Sequence, residues 1–403
     1  MWGYFNFEFK QFFTNKKNIA VFALLTFVTI FYVFKLAPAY DPIEKVDYDE
    51  IEARYLTREE FLDSMFGKNL SEYHDSVQYA VSIFDFLNPY DEQRLQALDD
   101  GNLRKYVVAT RDWYFYTNVY TYRNDLLAYN PRYYMDDRRF AEDEAYYAYL
   151  EQFQRYDAYK RVWYDLTIEI LEQRTALQTL ERLLKGPLPY IILIATLLLT
   201  IDIVTKDRRH PSILKGFPIA DWKRLFVKAC IGLIGSMLLW IPIIVGLLIV
   251  GFQFGFGNFD LPVPVYGYDM IANEEGKFVY MSMGMFLFRC FLLLAAWMVV
   301  VVSAVLLCSI LLRQELLNMV VGALLIFGER FYTSRGVGYF WNVEYYPTSY
   351  VQVGNIVSKY QNFYFTSKGL HDVLGLKLLL ISAVILFVFK LLISLSNRFR
   401  LIK

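Results

Sequence analysis

Cysteine is scarce in this 403-residue chain: Cys230, Cys290 and Cys308 are the three present, each inside an apolar stretch. Spacings that wide form neither a zinc-type ligand set nor a disulfide framework. The three read as small apolar packing residues and say nothing about redox compartment. Histidine is as rare, and His74, His210 and His371 are too scattered for a histidine-based metal site. Net charge is absent as well: 41 Lys+Arg balance 41 Asp+Glu, so neither nucleic acid nor a bulk acidic partner is implied. The chain also lacks catalytic signatures. It has no Gly-x-x-x-x-Gly-Lys-Ser/Thr phosphate cradle, no His-Glu-x-x-His and no Gly-x-Ser-x-Gly. Acid pairs such as Glu59-Glu60, Asp99-Asp100 and Asp136-Asp137 sit in polar stretches and read as solvated charge. Nothing here argues for an enzyme, and no cofactor is expected on the chain itself.

Hydrophobicity is what the chain has in excess. The apolar fraction is 56% and the mean hydropathy +0.27, above the balance of soluble domains. A hydrocarbon core of about 30 Å needs roughly 20 apolar residues in a helix. On that measure the sequence predicts an all-α polytopic membrane protein with six transmembrane helices at 18–36, 187–203, 225–252, 283–312, 315–329 and 372–395. The fifth is short and needs tilt, or residues toward Gly336, to complete its span. Ala37-Pro38-Ala39 resembles a signal-peptidase site, but Lys35 separates it from an apolar run longer than a usual signal core. An uncleaved anchor is the expectation.

Orientation follows from where Lys and Arg flank the spans. Lys10, Lys16 and Lys17 precede the first; Lys206, Arg208, Arg209, Lys215, Lys223 and Arg224 lie between the second and third; Arg313 lies between the fourth and fifth; Arg398, Arg400 and Lys403 follow the sixth. All fall on one side if both termini, 1–17 and 396–403, are cytoplasmic. The expected location is a bacterial cytoplasmic membrane, with 253–282 and 330–371 outside, the latter as a partly re-entrant segment.

Residues 37–186, acidic and dense in tyrosine, then form a large extracellular helical domain between the first and second spans. Ala145, Tyr149, Tyr156, Tyr159, Trp163, Leu166, Ile170, Leu177, Leu180 and Leu184, with Gln152 and Gln173 in the two remaining seam positions, recur at alternating steps of three and four. This heptad-like stripe predicts one helix from Glu144 to Lys185, packed on helical segments near 58–86 and 91–129. Such a stripe serves either as a cap that meets a ligand or as plain hairpin packing.

On the cytoplasmic side, 204–224 is cut short by Pro211, Gly216 and Pro218 and sets Ile213, Leu214, Phe217 and Trp222 among basic residues. That is the composition of a docking surface, or of a loop lying on anionic lipid. Asp202 and Arg289 are charges inside or at the edge of apolar runs, where charge is expensive and often functional. Lys377 and Lys390, nearer the ends of the sixth run, read as snorkelling residues. Glu329, beside Arg330, reads as an interfacial cap of the fifth.

The order of these features resembles the permease subunit of type-2 ABC exporters of low-GC Gram-positive bacteria. The matching stretches are Phe5 to Lys17, similar to an amphipathic elbow helix; Asp202 with the basic run Lys206 to Arg209; Phe217-Pro-Ile-Ala-Asp-Trp-Lys223; the turn at Arg313 to Glu315; and Tyr346-Pro-Thr-Ser-Tyr-Val-Gln-Val-Gly-Asn355. The likeness covers the spans and their connections, more than half the chain. It implies that Asp207, Arg208, Arg209, Ile213, Leu214, Phe217 and Trp222 form a coupling loop docked on a separate cytoplasmic ATPase. It also implies a second permease copy, identical or related, with ATP and Mg bound only by the partner. The external domain is larger than in polysaccharide exporters of this type, which favours a peptide or lipid-like amphiphile. A membrane-anchored sensor or immunity protein, binding an external ligand through the tyrosine-rich domain, is the alternative.

Overall fold

The computed structural model describes residues 1–43, 45–122, 129–134, 141–209, 219–269, 274–333, 342–365 and 367–395. The chain forms two compact units. One comprises Met1–Ala39, Thr179–Phe256 and Gly284–Lys403; the other comprises Tyr40–Gln178 and Gly257–Met283.

The first unit opens with α1 (Trp2–Phe13) and α2 (Lys16–Phe31), separated by Asn15, whose side-chain oxygen accepts the Lys17 backbone N–H and caps α2. After α8 (Ala176–Lys185), which crosses the division between units, the chain continues through α9 (Leu188–Thr200), α10 (Asp221–Leu238) and α11 (Trp240–Phe254). It then runs through α12 (Met283–Leu311), α13 (Glu315–Thr333), the short helices α14 (Val353–Val357) and α15 (Tyr360–Tyr364), and α16 (Asp372–Leu395). The third apolar run is broken at Leu239, because Pro242 has no N–H to return to Leu238. Five stretches are long and apolar enough to cross a membrane: Lys16–Leu36, Leu188–Asp207, Asp221–Phe254, Met283–Leu311 and Asp372–Ser394. The fifth predicted span, α13, falls short on composition because it carries Glu315, Glu329 and Arg330. It extends to Thr333, beyond the predicted 329, and at 1.5 Å per residue its 19 residues reach about 28 Å.

α9 and α12 are the enclosed helices, with 72% of each apolar window buried, whereas α2 and α16 bury only 17% and 11%. α13 runs antiparallel to α9. Asn318 donates to the Ile201 carbonyl at 3.0 Å, and Glu329 accepts from the Tyr190 hydroxyl at 3.5 Å. Between these points, Gly322 lies so close to Leu197 that a Cβ there would meet its methyl group at 2.3 Å.

The second unit is built from α3 (Tyr48–Met65), α4 (Asp75–Asp99), α5 (Leu103–Tyr122), α6 (Ala141–Tyr159) and α7 (Ile168–Leu171). It also holds an antiparallel hairpin, β1 (Pro262–Asp269) with β2 (Glu274–Ser282), in register Val265 to Val279. The predicted external loop 253–282 therefore contains this ribbon, which packs Tyr266 and Phe278 on Tyr147 of α6.

The single helix predicted from Glu144 to Lys185 is corrected to three pieces. α6 ends at Tyr159 in a tightened turn, with the Arg161 and Val162 N–H groups returning to the Ala158 and Tyr159 carbonyls, and Arg104 of α5 then holds the Val162 and Tyr164 carbonyls at 3.0 and 3.1 Å. Thr167 then caps α7, and Gln173 takes a left-handed conformation with φ of 57°. The stripe holds up to that break: Ala145, Tyr149, Tyr156 and Tyr159 are buried, but Trp163 is 76% exposed.

Asp91 of α4 is the polar centre of this unit. Its side chain is fully buried and accepts from Arg54 (2.9 and 2.7 Å), Arg58 (3.0 Å) and Arg94 (3.1 Å). Arg54 and Arg94 also lie over the Trp113 ring of α5, so one carboxylate joins three helices. Burial alone would raise the Asp91 pKa, but the three guanidiniums outweigh it and hold the carboxyl below its ordinary value. Its contribution to stability is complete above the unfolded value, about pH 4, and is lost as pH falls through the folded value beneath it. Asp91→Ala is expected to cost about 3–5 kcal/mol by leaving buried guanidiniums uncompensated. Thermal unfolding of the full chain in detergent, followed by intrinsic fluorescence between pH 7 and pH 3, reads both effects. An Asp91→Ala midpoint equal to that of the parent would refute the assignment.

Candidate functional site: the roots of the 208–220 loop

Lys228, on the first half of α10, is completely buried. An ammonium has three N–H donors, and here all three have acceptors. Nζ donates to Glu8 Oε1 at 2.7 Å, to the Ile203 carbonyl at 2.8 Å and to Asp207 Oδ1 at 3.1 Å. Glu8 is brought there by α1, whose buried face is Tyr4, Glu8 and Phe12, spaced at i, i+4 and i+8. Beside that face, Trp2, Phe5, Phe9 and Phe13 make a ladder of ring contacts 4.6 to 6.1 Å apart. The N-terminal segment is thus a helix whose buried face holds a carboxylate that periodicity alone did not single out.

The segment after α9 is pinned twice more. Lys17 of α2 pairs with Asp202 and donates to the Leu198 and Leu199 carbonyls, while Asn15 Nδ2 donates to Asp202 Oδ2 at 3.0 Å. Thr205 donates to Glu315 Oε1 at 3.0 Å, and Asn318 reaches both the Ile201 carbonyl and Ser309 Oγ. Chain termini of α2, α9, α12 and α13 therefore converge with α1 and α10 on one end of this unit.

Of the residues predicted for docking, Asp207 is directed inward to Lys228 and 6% exposed, so it belongs to the root of the loop and offers no outward surface. Arg208 and Arg209 close the 3-10 turn Thr205–Arg209. Trp222, at the start of α10, is 43% exposed with the Lys223 ammonium over its ring at 5.4 Å. Ile213, Leu214 and Phe217 lie outside the described residues, as does the basic tail 396–403. The two intramembrane charge candidates each have a partner: Asp202 has Lys17, and Arg289 has Asp372, at 3.3 Å. The second pair joins the start of α12 to the start of α16.

Three functional-looking residues escaped the sequence reading. Lys228 and Glu8 carry no motif, and only their positions on apolar helix faces could have marked them. Glu329, expected at an interface, is fully buried instead, with Gln352 and Gln361 donating to Oε1 at 3.0 and 3.1 Å. It ties α13 to the short-helix segment that follows. No family model, no curated protein and no solved structure matches the chain.

Lys228→Met leaves the buried Glu8 and Asp207 carboxylates with only Lys206, 3.9 Å from Glu8, as a nearby cation; it is expected to cost about 3–5 kcal/mol, while Glu8→Gln in the same chain returns part of that loss. A double-mutant cycle read by thermal unfolding checks this. Additive losses would mean that Lys228 and Glu8 are not coupled.

Proposed function

We propose that this chain is the permease subunit of an ATP-driven exporter, with ATP and Mg bound and hydrolysed by a separate cytoplasmic subunit. One observation carries the reading: the two segments that flank residues 210–218, the turn with Asp207 and the first half of α10 with Lys228, are joined by one buried charge cluster that also holds the N-terminal helix. A loop that receives force from a partner needs roots that pass displacement to helices without slack. Packed, bistable interiors do this better than solvated connections. Trp222, half-exposed where the loop re-enters α10, is the side chain offered to that partner.

The topology that best fits has six spans with both termini cytoplasmic, α13 being the fifth. Its antiparallel run along the whole of α9 supports this in spite of its charges. So does the second unit: Tyr40–Gln178 and Gly257–Met283 form one body, as segments following the first and third spans can only do if both emerge on the same side. A membrane-impermeant thiol reagent tests it. With Cys230, Cys290 and Cys308 replaced, Arg313→Cys should react only after permeabilisation and Tyr345→Cys in intact cells. Equal labelling of both in intact cells would remove α13 from the spans.

The cargo we infer is a peptide or lipid-like amphiphile. A groove of about 670 Å³ runs between α2 and α11, walled by Phe22, Thr29, Val33, Ile241 and Val245, a size and lining suited to an apolar chain. A second permease copy completes the pathway. The alternative, an external sensor or immunity protein, is favoured by the self-contained core of the tyrosine-rich unit. Purification of the tagged chain from native membrane in mild detergent separates the two. The exporter reading expects a near-stoichiometric P-loop ATPase that is lost with Phe217→Ala and Trp222→Ala. A preparation free of ATPase, under conditions that preserve a known ABC complex, favours the sensor.

A further inference from the structure

Lys390 is a charge without a counter-charge. It lies on the last turns of α16 and is 5% exposed. Instead of reaching outward as a snorkelling lysine would, it sits beside a cavity of about 220 Å³ formed by α10, α16 and Met1. The cavity walls are Trp222, Leu225, Phe226, Phe387 and Leu391, and no acidic residue lines it. Among the described residues Lys390 has no ion pair and no hydrogen-bond acceptor. Its ammonium lies 5.3 Å from the centre of the Phe387 ring, and the neighbouring titratable group is the Cys230 thiol. Ser394, also on the wall, spends its hydroxyl on the Leu391 carbonyl at 2.7 Å. Lys223, over the outer Trp222 ring, adds a second cation nearby.

An ammonium removed from water is stable only with an anion or strong acceptors around it. An apolar groove between helices with a cation at its end matches a lipid chain with a phosphate at its head. We propose that this groove holds an anionic phospholipid, its phosphate on Lys390 and its acyl chain against Phe226, Phe387 and Leu391. Trp222 lines the same groove, so the lipid touches the point where the 208–220 loop re-enters α10. The site stands whether or not the chain is an exporter, because it rests on Lys390 and the groove alone.

The test uses the full chain in nanodiscs of phosphatidylcholine with phosphatidylglycerol as the minor component, extracted in mild detergent and read by native mass spectrometry. The parent is expected to retain phosphatidylglycerol over phosphatidylcholine about fivefold beyond their ratio in the disc. Lys390→Gln should abolish the preference, Lys390→Arg should keep it, and Leu391→Trp, which fills the groove, should lose the retained lipid. If Lys390→Gln fails to fold, the contrast between Lys390→Arg and Leu391→Trp still decides. A parent with no preference, a Lys390→Gln chain with the parental preference, or displacement of the lipid by inorganic phosphate would overturn the proposal. So would a Leu391→Trp chain that keeps its lipid but changes oligomeric state, since the groove would then belong to a second copy.

Discussion

The membrane-type unit depends on one buried ammonium. Lys228 sits where an apolar residue would be cheaper, and it is tolerable there because Glu8, Asp207 and the Ile203 carbonyl satisfy every N–H it has. Those acceptors come from two places far apart in the chain: the N-terminal helix, and the segment just after α9 that carries both the Ile203 carbonyl and Asp207. Removing Lys228 deprives both carboxylates of their shared cation, so α1, that segment and α10 are tied through one ammonium. The Lys17–Asp202 and Thr205–Glu315 contacts extend the same end of the unit to α2 and α13.

The tyrosine-rich unit uses the opposite arrangement. There a single carboxylate, Asp91, is surrounded by Arg54, Arg58 and Arg94, and two of those guanidiniums continue onto the Trp113 face. Around this centre the core is aromatic more than aliphatic. Tyr114, Tyr133, Tyr149 and Tyr156 meet ring to ring, and Tyr114 and Tyr133 share a hydroxyl contact of 3.1 Å. Tyrosine suits a helical body of this kind, since it fills volume while its hydroxyl finds a partner at the core's edge.

The functional reading leans on the first of these arrangements. In the exporter we propose, charges locked beside the coupling segment would make it a handle on the helices, and the groove beside α2 would offer an apolar passenger a surface. The buried Glu329 holds the segment before α16 against α13 through two glutamine amides. It and the Lys228 cluster are places where polar groups were retained in an apolar body, and such groups mark either a joint or a path.

What the amino-acid sequence determined by itself was the membrane class and the five strongest spans, to within a few residues at most boundaries. Partition into hydrocarbon is a property of some 20 consecutive residues, so Met283–Leu311 or Asp372–Leu395 announces itself without help from the rest of the chain. Periodicity likewise marked Ala145, Tyr149, Tyr156 and Tyr159 as one buried face, because steps of four, seven and three return to the same side of a helix. The break after Tyr159 was not legible, since the chain beyond it is held by Arg104, 58 residues before Val162. Nor was the pairing of Glu8 with Lys228, separated by 220 positions. Those were decided by tertiary structure alone. A charge can be buried only beside its partner, and nothing in the local pattern of either residue says which distant one that partner is.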